Sequence, residues 1–228
     1  IGLLTYLFIR SKVNLSSLKL KTKEVFSFGG QRVIGELALF SLDFLPVYLI
    51  SIYVGLTQSG YLSMSLLILK LAAMLFELIG SIVLPYYGKM YSSNTKEYFL
   101  NQVDKLLFYG LIAACLVSII FYYLSTFVIV NFFTSQTVAI EPTKFLFFVF
   151  PFYVVYILLR NIIDVVSTFS YNSVNLSIVV IIQVGILLIG FRYNSFNIYH
   201  TLVLVIPYTL MGLLTYITWS KLKMKLKK

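Results

Sequence analysis

Long apolar runs constrain this chain more than any other feature: stretches with few charges recur along most of its 228 positions. A helical run of about 18 residues or more can cross a hydrocarbon core about 30 Å thick. The composition agrees, with 60% of residues hydrophobic and 11% charged, against about 25% charged in an ordinary globular domain. Together these predict an all-α polytopic membrane bundle with little room for a soluble domain.

Six spans are expected, at about 25–54, 61–87, 106–130, 145–159, 174–191 and 198–219, the fourth starting as early as 138. The connections between them read as GLTQSG at 55–60, the polar stretch 88–105, the segment from Asn131 to Lys144, and RNIIDVVSTFSYNS at 160–173. The opening IGLLTYLFI, residues 1–9, is too short to span and is followed, not preceded, by basic residues. This is the reverse of a signal peptide, so it reads as the end of a preceding transmembrane helix. Residues 10–24 then form a basic linker, 25–220 a six-helix lobe, and 221–228 a basic tail.

The net charge of +10 would suggest nucleic acid in a soluble chain, but its placement argues otherwise. With the linker inside, alternate loops collect fourteen lysines and arginines against two, Lys144 and Arg192, on the other face. Cytoplasmic loops carry such an excess, so the linker and the C-terminus are expected in the cytoplasm. The KLKMKLKK tail is a stop signal that touches anionic head groups of membrane lipid, and no nucleic-acid partner is expected. Trp219, Tyr86, Tyr87, Tyr193 and Tyr199 lie beside basic residues and read as interfacial anchors. One Cys and one His cannot build a metal site from such ligands. Neither nucleotide-binding nor hydrolytic motifs occur, so no cofactor is expected.

Charges inside the spans are the exception to the pattern. At 100° per residue, Arg32, Glu36 and Asp43 fall within about 40° of one another, and Lys70 and Glu77 share a face of the second span. A charge at bilayer depth costs on the order of 3 kcal/mol and is compensated by a partner or by water. The five residues therefore predict a shared polar interior, either a hydrated pathway or a set of satisfied ion pairs such as Arg32 with Glu36. Asp43 lies near mid-depth, and Pro46 withholds the N–H that would bond the Leu42 carbonyl. The freed carbonyl beside a carboxylate suggests a hinge or a cation site. Gln183 reads as bonded to a neighbouring helix, and Arg160 with Asp164 as an i, i+4 pair at the membrane surface.

The segment DFLPVYLISIYVGLTQSGY, Asp43 to Tyr61, followed by LPYYGKMYSSNTKEY from Leu84, resembles the Wzx-type polysaccharide and O-antigen flippases. Their superfamily also holds the multidrug and toxin extrusion transporters and the lipid II flippases. The resemblance implies one lobe of a two-lobe transporter in the bacterial cytoplasmic membrane, with the N-terminal lobe of the same protein as its partner. It also implies a cargo of undecaprenyl-pyrophosphate-linked oligosaccharide. Arg32 and Lys70 are then the cations available to a pyrophosphate, and Asp43, Glu36 and Glu77 the carboxylates available to a coupling cation, proton or sodium. A multidrug or small-cation antiporter would use the same lobe. A polymerase or ligase is the less favoured reading, because the segment 131–144 offers only Glu141 and Lys144 for chemistry. A purely structural subunit would tolerate loss of all five charges.

Overall fold

The computed structural model describes residues 15–93, 96–193 and 196–227. The expected helix remnant at 1–9 and the first part of the linker lie outside the described residues, as do the side chains of Tyr193 and Tyr199. The chain folds into α1 (Leu15–Tyr53), α2 (Leu56–Ser93), α3 (Lys96–Phe132), a 3-10 turn (Thr134–Ala139), α4 (Ile140–Val166), α5 (Tyr171–Tyr193) and α6 (Phe196–Lys227). No strand occurs among the described residues. Among the described residues six helices are long and apolar enough to cross a membrane, and the protein is an all-α, multi-pass membrane bundle.

The helices are longer than the apolar runs. At 1.5 Å per residue, the 39 residues of α1 and 38 of α2 extend well beyond a core about 30 Å thick. The connections accordingly shrink. The expected turn at 55–60 is confined to Val54 and Gly55, where Gly55 takes φ +134° and donates its N–H to the Ile50 carbonyl at 3.0 Å. The left-handed conformation at a helix end favours glycine, and it lets α2 begin at Leu56. The expected connection 160–173 is mostly helix, with only 167–170 outside α4 and α5. The helix α1 starts at Leu15, inside the stretch expected to be linker.

In the order α1, α2, α4, α6, α5 the helices close a ring, each packing on the next, and α3 lies outside against α4. The helix α4 is the most enclosed, with Tyr153 to Leu159 buried without interruption. Close approach is set by small residues, as is usual between membrane helices. A Cβ on Gly212 of α6 would collide with the Phe152 backbone of α4. Large apolar side chains exposed along α3, including Phe108, Ile112, Leu116 and Ile120, form the surface that lipid covers.

Two expected interfacial anchors are instead part of the interior. Trp219 is 1% exposed and meets Phe99 edge-on at 6.4 Å. Tyr87 is buried, with its hydroxyl donated to the Gln102 carbonyl at 3.0 Å. Both lie where α2, α3 and α6 continue together past the apolar runs, so neighbouring helices cover them. Tyr86 is exposed, as an anchor would be.

Candidate functional site

The middle of α1 is anchored on the start of α5. Gly35 lacks the Cβ that would meet the Ser173 Oγ at 2.5 Å, and no larger residue allows this approach. The Ser173 hydroxyl donates to the Gln31 carbonyl at 2.6 Å, and the Ser170 N–H donates to the Gln31 side-chain oxygen at 3.2 Å. Docked in this way, α1 presents Arg32 and Glu36 to the end of α4.

Two ion pairs then bridge α1 and α4. Arg32 meets Asp164 at 2.5 Å, and Arg160 meets Glu36. The Asp164 carboxylate is 8% exposed and also accepts a bond from Asn172 at 2.9 Å, so its charge is doubly compensated. Both arginines thus pair across the helices, where the local pairs Arg32 with Glu36 and Arg160 with Asp164 were expected. The reason is geometric: α4 stays helical to Val166 and turns both residues inward towards α1.

Deeper in the ring, four helices share one polar chain. Asp43 of α1 accepts from the Tyr208 hydroxyl of α6 and pairs with Lys70 of α2 at 2.9 Å. The Lys70 ammonium donates to the Tyr153 hydroxyl of α4 at 2.9 Å, and that hydroxyl reaches Glu77 at 3.5 Å. The Asp43 and Lys70 side chains remain 30% and 33% exposed, so the pair is reachable from outside the bundle. From Arg32 to Asp43 the ladder rises about 16 Å along α1, about half of the core thickness.

The carbonyl of Leu42, freed by Pro46, has a partner in the bundle. It accepts the Gln183 amide at 2.9 Å, and Gln183 also donates to the Val203 carbonyl at 3.2 Å. A side chain of α5 thus bridges the gap that Pro46 leaves in α1. Open space lies one turn away. A cavity of about 350 Å³ is lined by Leu39, Glu77, Tyr153, Tyr156, Arg160 and Asn161. The Tyr156 hydroxyl is buried there without a hydrogen-bond partner.

Of the five charged residues singled out in the sequence, Glu77 lines this cavity together with Arg160 of α4, Arg32 and Glu36 pair with α4 beside it, and Asp43 and Lys70 adjoin it through Tyr153; this polar cleft also takes in Asp164. The set holds three cations and four carboxylates. Tyr153 and Tyr208 were missed because a tyrosine in an apolar run reads as core or as an anchor. A signal existed: Tyr153, Tyr156, Arg160 and Asp164 recur at three and four residues, one stripe of a helix. No cluster of three or more metal-ligating side chains occurs among the described residues. Compared with known family models, curated proteins and solved structures, the chain matches none.

Proposed function

We propose that the chain is part of a transporter, and not an enzyme, that moves a lipid-linked oligosaccharide across the cytoplasmic membrane, and that the cleft is a stretch of its pathway. The observation that carries this reading is the Asp43–Lys70 pair, about one-third exposed and held between Tyr208 and Tyr153 at mid-depth. A purely structural ion pair in a membrane is expected to be sealed from water, whereas this pair adjoins a cavity holding Glu77 and Arg160.

The pairing also suggests how cargo and ion would couple. In this reading, Lys70 is bound to Asp43 at rest. A proton or sodium ion taken up by Asp43 weakens that pair and releases the ammonium for the cargo pyrophosphate, a charge-assisted contact. Glu36 and Glu77 would serve as further ion acceptors, and Arg32 as a second phosphate contact once it leaves Asp164. The excess of carboxylates over cations in the cleft favours a second reading, a multidrug or small-cation antiporter. Proteoliposomes separate the two: polyprenyl-pyrophosphate oligosaccharide crossing the bilayer supports the first, while gradient-driven uptake of a cationic dye without any lipid movement supports the second.

A further inference from the structure

On the lipid-facing side of the bundle, away from the charged cleft, a groove of about 810 Å³ lies between α3 and α4. From α3 it takes Cys115, Ile119 and Tyr122, spaced at four and three residues along one stripe. From α4 it takes a face running from Glu141 to Pro151. That face rises about 15 Å, half of a core about 30 Å thick and hence the depth of one leaflet. Phe148, 81% exposed, forms part of its wall. Phe147 is buried behind it and stacks on Phe121 at 5.2 Å, so the groove has an aromatic floor.

The polar end of the groove carries one charge of each sign. Lys144 stands over the Tyr122 ring, 5.2 Å from its centroid, and Glu141 precedes it by three residues on the same rim. Neither forms an ion pair among the described residues. In the first two turns of α4 both lie near the level where a spanning helix leaves the hydrocarbon core. A cation and an anion left unmatched above an apolar groove one leaflet deep are complementary to a zwitterionic lipid head.

We infer that this groove is a binding site for a phospholipid of the surrounding bilayer with an ethanolamine-type head group. Its phosphate meets Lys144, its primary ammonium meets Glu141, and an acyl chain lies along Ile119, Phe148 and Pro151. A pyrophosphate-linked lipid has no cation for Glu141, so the occupant is distinct from the cargo proposed above, and the inference stands apart from that proposal. A glycerol head group likewise lacks the ammonium, and a choline head group has no N–H to donate to the carboxylate.

The test uses the unmodified protein in nanodiscs holding equal amounts of ethanolamine, glycerol and choline phospholipids with matched chains, followed by native mass spectrometry of the lipids retained. The expected result is selective retention of the ethanolamine lipid. Lys144→Gln lowers retention about five-fold, the worth of one lysine beside an anionic group, and Glu141→Gln removes the preference over choline. In detergent, added ethanolamine lipid slows alkylation of the native Cys115, at the far end of the groove, by an apolar maleimide. Equal retention of the three lipids, preference for the glycerol lipid, or unchanged Cys115 alkylation overturns the inference. Should a variant fail to fold, wild-type selectivity and Cys115 protection still decide it.

Discussion

Gln183 donates its side-chain amide to the carbonyl of Leu42 at 2.9 Å, the carbonyl that Pro46 leaves without its helical partner. A helix interrupted by proline is thereby closed from a neighbouring helix. The interruption becomes a fixed joint between α1 and α5, immediately beside Asp43.

Removing the donor should therefore cost stability in proportion to the need for it. Gln183→Leu leaves the buried Leu42 carbonyl unsatisfied, a loss of about 1–3 kcal/mol, readable as a lower unfolding midpoint in detergent. Pro46→Ala supplies the missing backbone N–H, so Gln183→Leu should cost less in that background. The residual cost reflects the second bond, to Val203. An identical penalty in both backgrounds would show that Gln183 does not serve the proline gap.

The cross-helix pairs predict a specific pattern of coupling. Arg32→Gln with Asp164→Asn and Arg160→Gln with Glu36→Gln form two double-mutant cycles. Residues in contact show coupling energies of about 0.5–3 kcal/mol. Arg32–Asp164 should lie higher in that range because Asp164 is 8% exposed, and Arg160–Glu36 lower because Glu36 is 55% exposed. A larger coupling between Arg160 and Asp164 than between either residue and α1 would contradict the pairing described here.

Accessibility separates a hydrated cleft from a sealed one. With Cys115→Ala as background, cysteines at Glu77 and Ser81, both on the cavity wall, should react with a small charged thiol reagent in membranes. Cysteines at Leu116 and Ile120, exposed on α3, should stay inert because lipid covers them. Equal inertness at all four positions would mean that water does not enter.

The sole tryptophan offers a direct check on the bundle interior. Trp219, buried against Phe99, should emit in the blue and resist quenching by iodide. Emission typical of a solvated indole, with ready iodide quenching, would restore it to the membrane surface.

The sequence made the fold class readable because each span needs an unbroken apolar run, and such runs cannot be hidden. The helix ends were harder. Past the core, α2, α3 and α6 continue as one another's cover, seen where Lys223 pairs with Asp104 at 2.6 Å, and hydropathy carries no trace of this. That same continuation buried Trp219 and Tyr87, whose neighbouring lysines had suggested anchors. Arg160 and Asp164 were read as a connection because two charges in a short polar stretch look solvated, yet their partners lie more than 120 positions away. Periodicity placed Arg32, Glu36 and Asp43 on one face of α1, but only the packing of four helices decides that Asp43 meets Lys70 and Tyr208. The Leu42 carbonyl shows the same limit: Pro46 frees it visibly in the sequence, and nothing local says that Gln183 takes it.

The central claim is that ion uptake at Asp43 releases Lys70, and it is tested most directly in the intact protein reconstituted in proteoliposomes with polyprenyl-pyrophosphate oligosaccharide and an imposed proton or sodium gradient. Asp43→Asn keeps the shape of the side chain and removes its charge, so gradient-driven translocation should fall to that of empty vesicles, while Asp43→Glu keeps part of it. Lys70→Gln should abolish translocation with either partner at position 43. If Asp43→Asn moves the lipid at the wild-type rate with undiminished dependence on the gradient, the Asp43–Lys70 pair does not couple ion to cargo, and the account is contradicted.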